Sequence, residues 1–228
     1  MFGRKTYSGI SKLANYTSDI RNLKNIKSRR SLVDIGYIDD EEFWPHKNLS
    51  ALGYRVTEIG DIKSIEEVRS FPIVLCDLMG VGNKIDPVLQ GAQIISEVKT
   101  NFPNIFVIAY TGANLQSRPA KRASLLADKF LKKDADIDEW KTTLDDLVKK
   151  ATDPKEIWLR TRLNLCRQDI DTAHIMELED AYVAAFEKRD KDFSQMKSVV
   201  KKIDVVPVAK TVILNLASNG IFEGLMNL

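Results

Sequence analysis

Two stretches of the chain, IVLC at 73–76 and IFVIAY at 105–110, are apolar at every position. A strand with one wet face alternates apolar with polar residues. A run without alternation is covered on both faces, as inner strands of a parallel sheet are when crossover helices lie on either side. Shorter apolar runs at 32–38, 54–59 and 129–132 complete a set of strands. Helical spacing falls between them. Phe43, Leu49 and Leu52 precede the second run, and Ser64 with Glu67 forms a capping-box pattern opening a short helix. Ile94, Ile95 and Val98 follow Pro87, while Ile137, Trp140, Leu144 and Leu147 recur at three- and four-residue steps behind Asp136. With right-handed crossovers, this alternation predicts a doubly wound α/β sandwich with a parallel sheet.

The remainder reads differently. Asp153 and Pro154 mark a break, beyond which the pattern is helical only. Leu159, Leu163, Cys166, Ile170 and Ala173 step by four, three, four and three, predicting a heptad seam that needs a mate in this chain or another. Leu178, Tyr182, Ala185 and Phe186 continue a stripe, Met196, Val199, Val200 and Ile203 suggest a further helix, and a last apolar stretch spans 205–217. Residues 1–30 carry eight basic side chains against Asp19 alone, with a weak helical pattern through Ile20, Leu23 and Ile26. The expected organisation is a basic arm at 1–30, an α/β domain at 31–152 and an all-α extension at 153–228.

Charge narrows the function. The chain has 34 basic and 32 acidic residues, and 44% of it is apolar, enough for a full core. Residues 31–150 hold 15 basic and 19 acidic residues, a net of −4, and residues 151–228 hold 11 and 12, a net of −1. Only the arm is basic enough to suggest nucleic acid or a membrane surface, and it reads more simply as solvated. The C-terminal region shows no basic recognition helix, so nucleic-acid binding is not expected. The first thirty residues lack the apolar core of a secretory signal, and no run reaches the roughly 20 residues of a spanning helix. The expectation is a cytoplasmic protein without membrane contact. Cys76 and Cys166 lack zinc-site spacing, and His46 and His174 stand alone.

Ligands of doubly wound sheets bind at the carboxyl ends of the strands. Here those ends present Asp39 and Asp40, then Asp77, then Thr111, then Lys132 and Lys133. Clustered carboxylates repel one another, and a divalent cation such as Mg2+ allows them to stay ionised together. The same cation can hold a phosphoryl oxygen while an aspartate attacks phosphorus in line, with an ammonium and a hydroxyl meeting the negative charge.

These residues resemble the receiver domain of two-component response regulators over about 120 of the 228 positions. The resemblance rests on IDDE at 38–41, VLCD at 74–77, VIAYTG at 107–112 and ADKFLKKD at 127–134. It implies a flavodoxin-like five-stranded sheet in the order 2-1-3-4-5. It also implies Asp77 as phosphoacceptor, Asp39 and Asp40 as the acidic metal pair, and a backbone carbonyl near Met79 as a further Mg2+ ligand. Thr111 matches the switch hydroxyl, Phe130 the switch aromatic and Lys133 the essential lysine, with Lys132 as the alternative register. The chemistry would be confined to self-phosphorylation and dephosphorylation, so an enzyme acting on other substrates is not expected. The phosphoryl group would come from a histidine kinase, a phosphotransfer protein or a small phosphodonor. The output would be a protein–protein contact of the helical region, through a homodimer or a helical partner. A phosphorylation-independent scaffold is the competing reading.

Two features depart from the family. Val81 stands where a Pro is usual, and the expected Gly is displaced to Gly91, so 79–90 carries an insertion of about six residues, either a lid or a tolerated surface loop. Asn83, Lys84 and Asp86 match the NKxD motif of GTPases, but without a phosphate-binding loop it has nothing to serve. A haloacid-dehalogenase-like phosphatase needs a second Asp where this chain has Met79. Trp158 reads as an anchor for helix packing.

Overall fold

The computed structural model describes residues 9–13, 26–112 and 114–202, with Lys210, Ile213 and Phe222 as single positions. The chain divides into two compact units, residues 23–152 and residues 1–22 together with 153–228.

The first unit is built on five strands: β1 (Asp34–Ile38), β2 (Arg55–Glu58), β3 (Ile73–Asp77), β4 (Phe106–Thr111) and β5 (Lys129–Lys132). Every neighbouring pair is parallel and the order is β2-β1-β3-β4-β5. β3 and β4 are buried at every residue, which is why their sequences show no alternation. β2 lies at an edge and is mostly exposed.

Five helices accompany the strands: α1 (Ile26–Arg30), α2 (His46–Ala51), α3 (Gly91–Asn101), α4 (Arg118–Leu126) and α5 (Ile137–Ala151). Between β2 and β3 the expected short helix is a single 3-10 turn, Ile65–Val68. It carries the full capping box, the Ser64 side chain accepting from Glu66 N and the Glu67 carboxylate from Ser64 N. α4 has no counterpart in the sequence reading. It buries only Ala120 and Ala123 while Leu125 is exposed, so its apolar spacing is faint. Its signal was the start, where Ser117 caps the helix and Pro119 occupies the first turn.

Because successive strand residues face opposite ways, the sheet has two different coats. One is aliphatic and includes Val74, Cys76, Ile94, Ile95, Val98, Val107 and Ala109. The other is aromatic. Phe43 lies 5.0 Å from Tyr37, 5.3 Å from Tyr110 and 5.1 Å from Trp140, measured between ring centroids. Residues 26–30 of the expected arm belong to this unit. Arg30 is buried, donates through Nε and Nη2 to the two oxygens of Asp145 at 2.8 Å each, and lies 4.4 Å over the Tyr54 ring. Tyr54 adds a 2.6 Å hydrogen bond to Asp145. Burial works against the Asp145 charge, but the bonds from Arg30 and Tyr54 outweigh it and hold the carboxyl below its usual range.

The second unit contains α6 (Pro154–Arg167), α7 (Thr172–Glu187) and α8 (Ser194–Lys202), with a 3-10 turn at Ile10–Leu13 packed on α6 and α7. Its core is aromatic: Trp158 stacks on Tyr182 at 5.1 Å, and Phe186, Phe193 and Phe222 close around it. Trp158 is thus a packing anchor, its indole N–H donating to buried Glu179 at 2.6 Å.

The heptad seam is not the buried face of α6. Ile157, Trp158, Thr161 and Leu165 face inward, whereas Leu163 and Cys166 are exposed. The heptad also breaks, since α6 ends at Arg167, Asp169 takes a left-handed φ of 54°, and Asp171 caps α7 through Ala173 N. Ile170 therefore sits in a turn. Two expected patterns, Ile20 with Leu23 and most of 205–217, lie outside the described residues. No helix among the described residues is long and apolar enough to cross a membrane.

Candidate phosphoryl-acceptor site

Parallel strands deliver their carboxyl ends to one edge, and the adjacent ends of β1, β3, β4 and β5 gather the site. Asp39 and Asp40 follow β1, Asp77 closes β3, Thr111 closes β4 and Lys133 follows β5. Asp77 pairs in register with Tyr110 and Thr111 with Lys132, so the site residues arrive at one level.

Lys133 is the hub. Its ammonium lies 2.7 Å from Asp77 Oδ2, 3.1 Å from Asp39 Oδ1 and 3.1 Å from Glu41 Oε2. Its backbone N–H donates to Thr111 O at 2.9 Å, and its carbonyl accepts from the exposed Trp44 indole at 2.7 Å. Strand alternation leaves Lys132 exposed. The carboxylates around Lys133 hold its pKa above the ordinary lysine value, although burial opposes them.

Asp77 is almost fully buried. Its Oδ1 accepts from Leu78 N at 2.6 Å and Met79 N at 3.3 Å, and Oδ2 meets Lys133. Burial raises its pKa, with Lys133 and the Met79 amide only partly offsetting that and the Asp39 charge adding to it. The Asp39 side chain is fully buried, with Oδ1 accepting from Glu41 N at 3.0 Å and Oδ2 from the Tyr110 hydroxyl at 2.9 Å. Asp40 is exposed, and one oxygen from each of Asp39, Asp40 and Asp77 falls within 4.8 Å of the others. Three hard oxygen donors this close suit a divalent cation better than they suit one another. Asp40, Asp77, Met79, Gly80 and Lys133 line an open cleft of about 360 Å³. Thr111 and Lys133 also line a larger hollow of about 800 Å³ bordered by Trp44 and Leu115. Phe130 is half-buried against the aliphatic coat, paired with Ala109.

The insertion is tied down along its length. Val81 is buried in the aliphatic coat, Gly82 N donates to Asp61 Oδ1 at 2.6 Å, and Gln90 bridges Gly80 N and Asn83 Oδ1. The NKxD look-alike is part of this stitching: Asn83 donates to Gly80 O, and Asp86 accepts from Val88 N and Leu89 N. Two glycines are obligatory here. Gly80 takes a left-handed φ of 83°, and a Cβ at Gly91 would collide with the Asp77 carbonyl. Tyr110, Glu41 and Gly80 were not singled out from sequence. Tyr110 was hidden as one more apolar letter of its strand, and Glu41 as one more acid of its turn.

No family model matches the chain, and no curated protein sequence does. Solved structures similar to it include full-length FixJ from B. japonicum, at 17% identity over 81% of this chain and 96% of that one, with a TM-score of 0.46. A response regulator from Burkholderia pseudomallei, with a phosphorylated aspartic acid, calcium and citrate, is 17% identical over 69% and 92% at a TM-score of 0.41. RcsB from Salmonella enterica serovar Typhimurium, bound to promoter rprA with phosphomimetic BeF3-, is 19% identical over 82% and 98% at 0.40. Five parallel strands in the order 2-1-3-4-5, with flanking helices and a helical extension, fit a receiver domain.

Proposed function

We propose that the chain is a response regulator whose receiver unit accepts a phosphoryl group on Asp77. The observation that carries this reading is the Asp77 carboxylate, 2.7 Å from the Lys133 ammonium and within 4.8 Å of donor oxygens from Asp39 and Asp40. An Asp77 oxygen forms the bond to phosphorus as the bond to the donor's leaving group breaks, and the leaving group departs with the electron pair. Asp39, Asp40, Asp77 and the Met79 carbonyl would hold Mg2+, which would supply positive charge for the phosphoryl oxygens. Lys133, already shared among three carboxylates, transfers one hydrogen bond to the new phosphoryl group. Thr111 donates a second, and Phe130 follows by turning further inward. This biases two arrangements of the same fold.

The donor is a phosphohistidine of a kinase or phosphotransfer protein, or a small acyl phosphate. The signal leaves through a protein contact of the helical unit. Beryllofluoride with Mg2+ mimics the aspartyl phosphate, and Trp emission supplies the readout because Trp44 is bonded to the Lys133 carbonyl. A saturable, Mg2+-dependent change that Asp77→Asn abolishes is the expected result. No response in the wild type leaves the fold as a scaffold that works without phosphorylation.

A further inference from the structure

Both oxygens of Asp39 are held, and Oδ2 is held by a residue that the acceptor chemistry does not use. We propose that Tyr110 is a positioning residue for the cation, its hydroxyl fixing Asp39 Oδ2 so that the other oxygen stays turned to Lys133 and the metal. This deepens the receiver reading and rests on it.

The placement follows from strand alternation. Tyr110 pairs in register with Asp77 at the ends of β4 and β3, so its side chain projects to the same face of the sheet as the acceptor, into the aromatic coat. There its ring packs between Phe43 and Trp140, at 5.3 and 5.5 Å between centroids, while its hydroxyl reaches back to the sheet edge. The hydroxyl lies 2.9 Å from Asp39 Oδ2 and 3.4 Å from Ile38 O, and its single proton goes to the nearer, charged acceptor. Tyr110 is fully buried, and burial together with the Asp39 charge keeps its phenol protonated. Water does not reach the Asp39 side chain, which is 0% exposed.

The other partners of Asp39 act on Oδ1, namely Lys133 Nζ and Glu41 N. Lys133 is also the group drawn to an incoming phosphoryl charge. Tyr110 is neutral, locked by its ring packing, and does not leave with it. A carboxylate that must remain in place while its ammonium partner shifts therefore depends on Tyr110. Without the hydroxyl, Oδ2 is a buried acceptor with no donor in a site already crowded by Asp77, and the carboxylate reorients.

The test compares Tyr110→Phe with Tyr37→Phe. Tyr37 belongs to the same aromatic coat, but its hydroxyl donates to Glu58 Oε2 at 2.8 Å, away from the site. Mg2+ is titrated into each folded protein and followed by Trp emission, with melting curves run alongside. Tyr110→Phe is expected to weaken Mg2+ binding about tenfold, the usual scale for losing a partner of a metal ligand, while Tyr37→Phe titrates as the wild type. With acetyl phosphate, labelling of Tyr110→Phe is slow at limiting Mg2+ and recovers at saturating Mg2+. Identical titrations for all three proteins overturn the proposal. So does a labelling defect that persists at saturating Mg2+ with a lowered melting temperature, which marks a structural role only. A wild type that binds no Mg2+ removes the receiver reading itself, and this inference with it.

Discussion

Asp77 at the edge of the sheet and Glu179 among the helices are both buried carboxylates, and they are balanced in opposite ways. Glu179 has donors matched to it: the Trp158 indole at 2.6 Å, Ile10 N at 2.8 Å and Arg162 at 3.5 Å. It ties the Ile10–Leu13 turn to the helices and sets the ring that anchors their core. Asp77 shares the Lys133 ammonium with Asp39 and Glu41, and Asp40 lies within reach of the same cluster. Removing a partner from a matched buried acid costs stability, whereas an acid left in surplus beside an open cleft is a candidate for binding a ligand. Asp145, clamped by Arg30 and Tyr54, behaves like Glu179 although it belongs to the same unit as Asp77. The contrast is therefore one of role rather than of unit.

The contrast predicts which losses fall on chemistry and which on stability. Asp77→Asn removes the whole beryllofluoride response without lowering the melting temperature, because the amide keeps the shape and relieves a crowded charge. Arg30→Ala leaves Asp145 buried without its partner and costs about 3–5 kcal/mol in denaturant unfolding, the scale of a broken buried pair. Glu179→Ala strands the Trp158 indole and Ile10 amide and costs about 1–3 kcal/mol for unsatisfied buried groups. It leaves the beryllofluoride response of the α/β unit intact. A Glu179 variant that loses this response but keeps its stability breaks the comparison.

A smaller effect appears with acid. The folded-state pKa of Asp77 is raised, so as pH falls Asp77 takes up a proton before an ordinary aspartate does, and protonating it does not weaken the fold. The pKa of Asp145 is lowered, so its stabilisation is present above the unfolded-state value and is lost only as pH falls through its lower folded-state value. In the metal-free protein, protonation of Asp77 should therefore come at a higher pH than loss of the fold, as measured by carboxyl NMR and circular dichroism across the same buffers. The smallest effect is that of Leu163→Glu, on the exposed face of α6. It changes monomer stability by no more than about 0.5 kcal/mol. If that face joins a second helical surface, light scattering registers the loss of association.

How much of this could be read from the sequence depends on whether the determinant was local. β3 and β4 were legible because burial on both faces removes alternation. Their ends, with the ends of β1 and β5, placed Asp39, Asp40, Asp77, Thr111 and Lys133 together before any contact was known. α4 was not legible, because a helix that buries two alanines and exposes Leu125 leaves little periodic trace. The heptad from Leu159 to Ala173 misled because its spacing was real but the chain turns at Asp169, where a single left-handed residue ends the helix register. Tyr110 reaches Asp39 only through tertiary approach, and Gly80 takes a left-handed φ of 83° that its neighbours in sequence do not announce. Arg30 looked like part of a solvated basic arm, and only the approach of α5 gives it Asp145 as a partner.

The central claim is that Asp77 is an acceptor and not merely a buried acid. Its most direct test is intact mass after incubation with acetyl phosphate and Mg2+, followed by borohydride trapping and peptide mapping. The account predicts one added phosphoryl group on the wild type, dependent on Mg2+ and mapped to Asp77, with no label on Asp77→Asn. Labelling that persists in Asp77→Asn, or that maps to another residue, would contradict it.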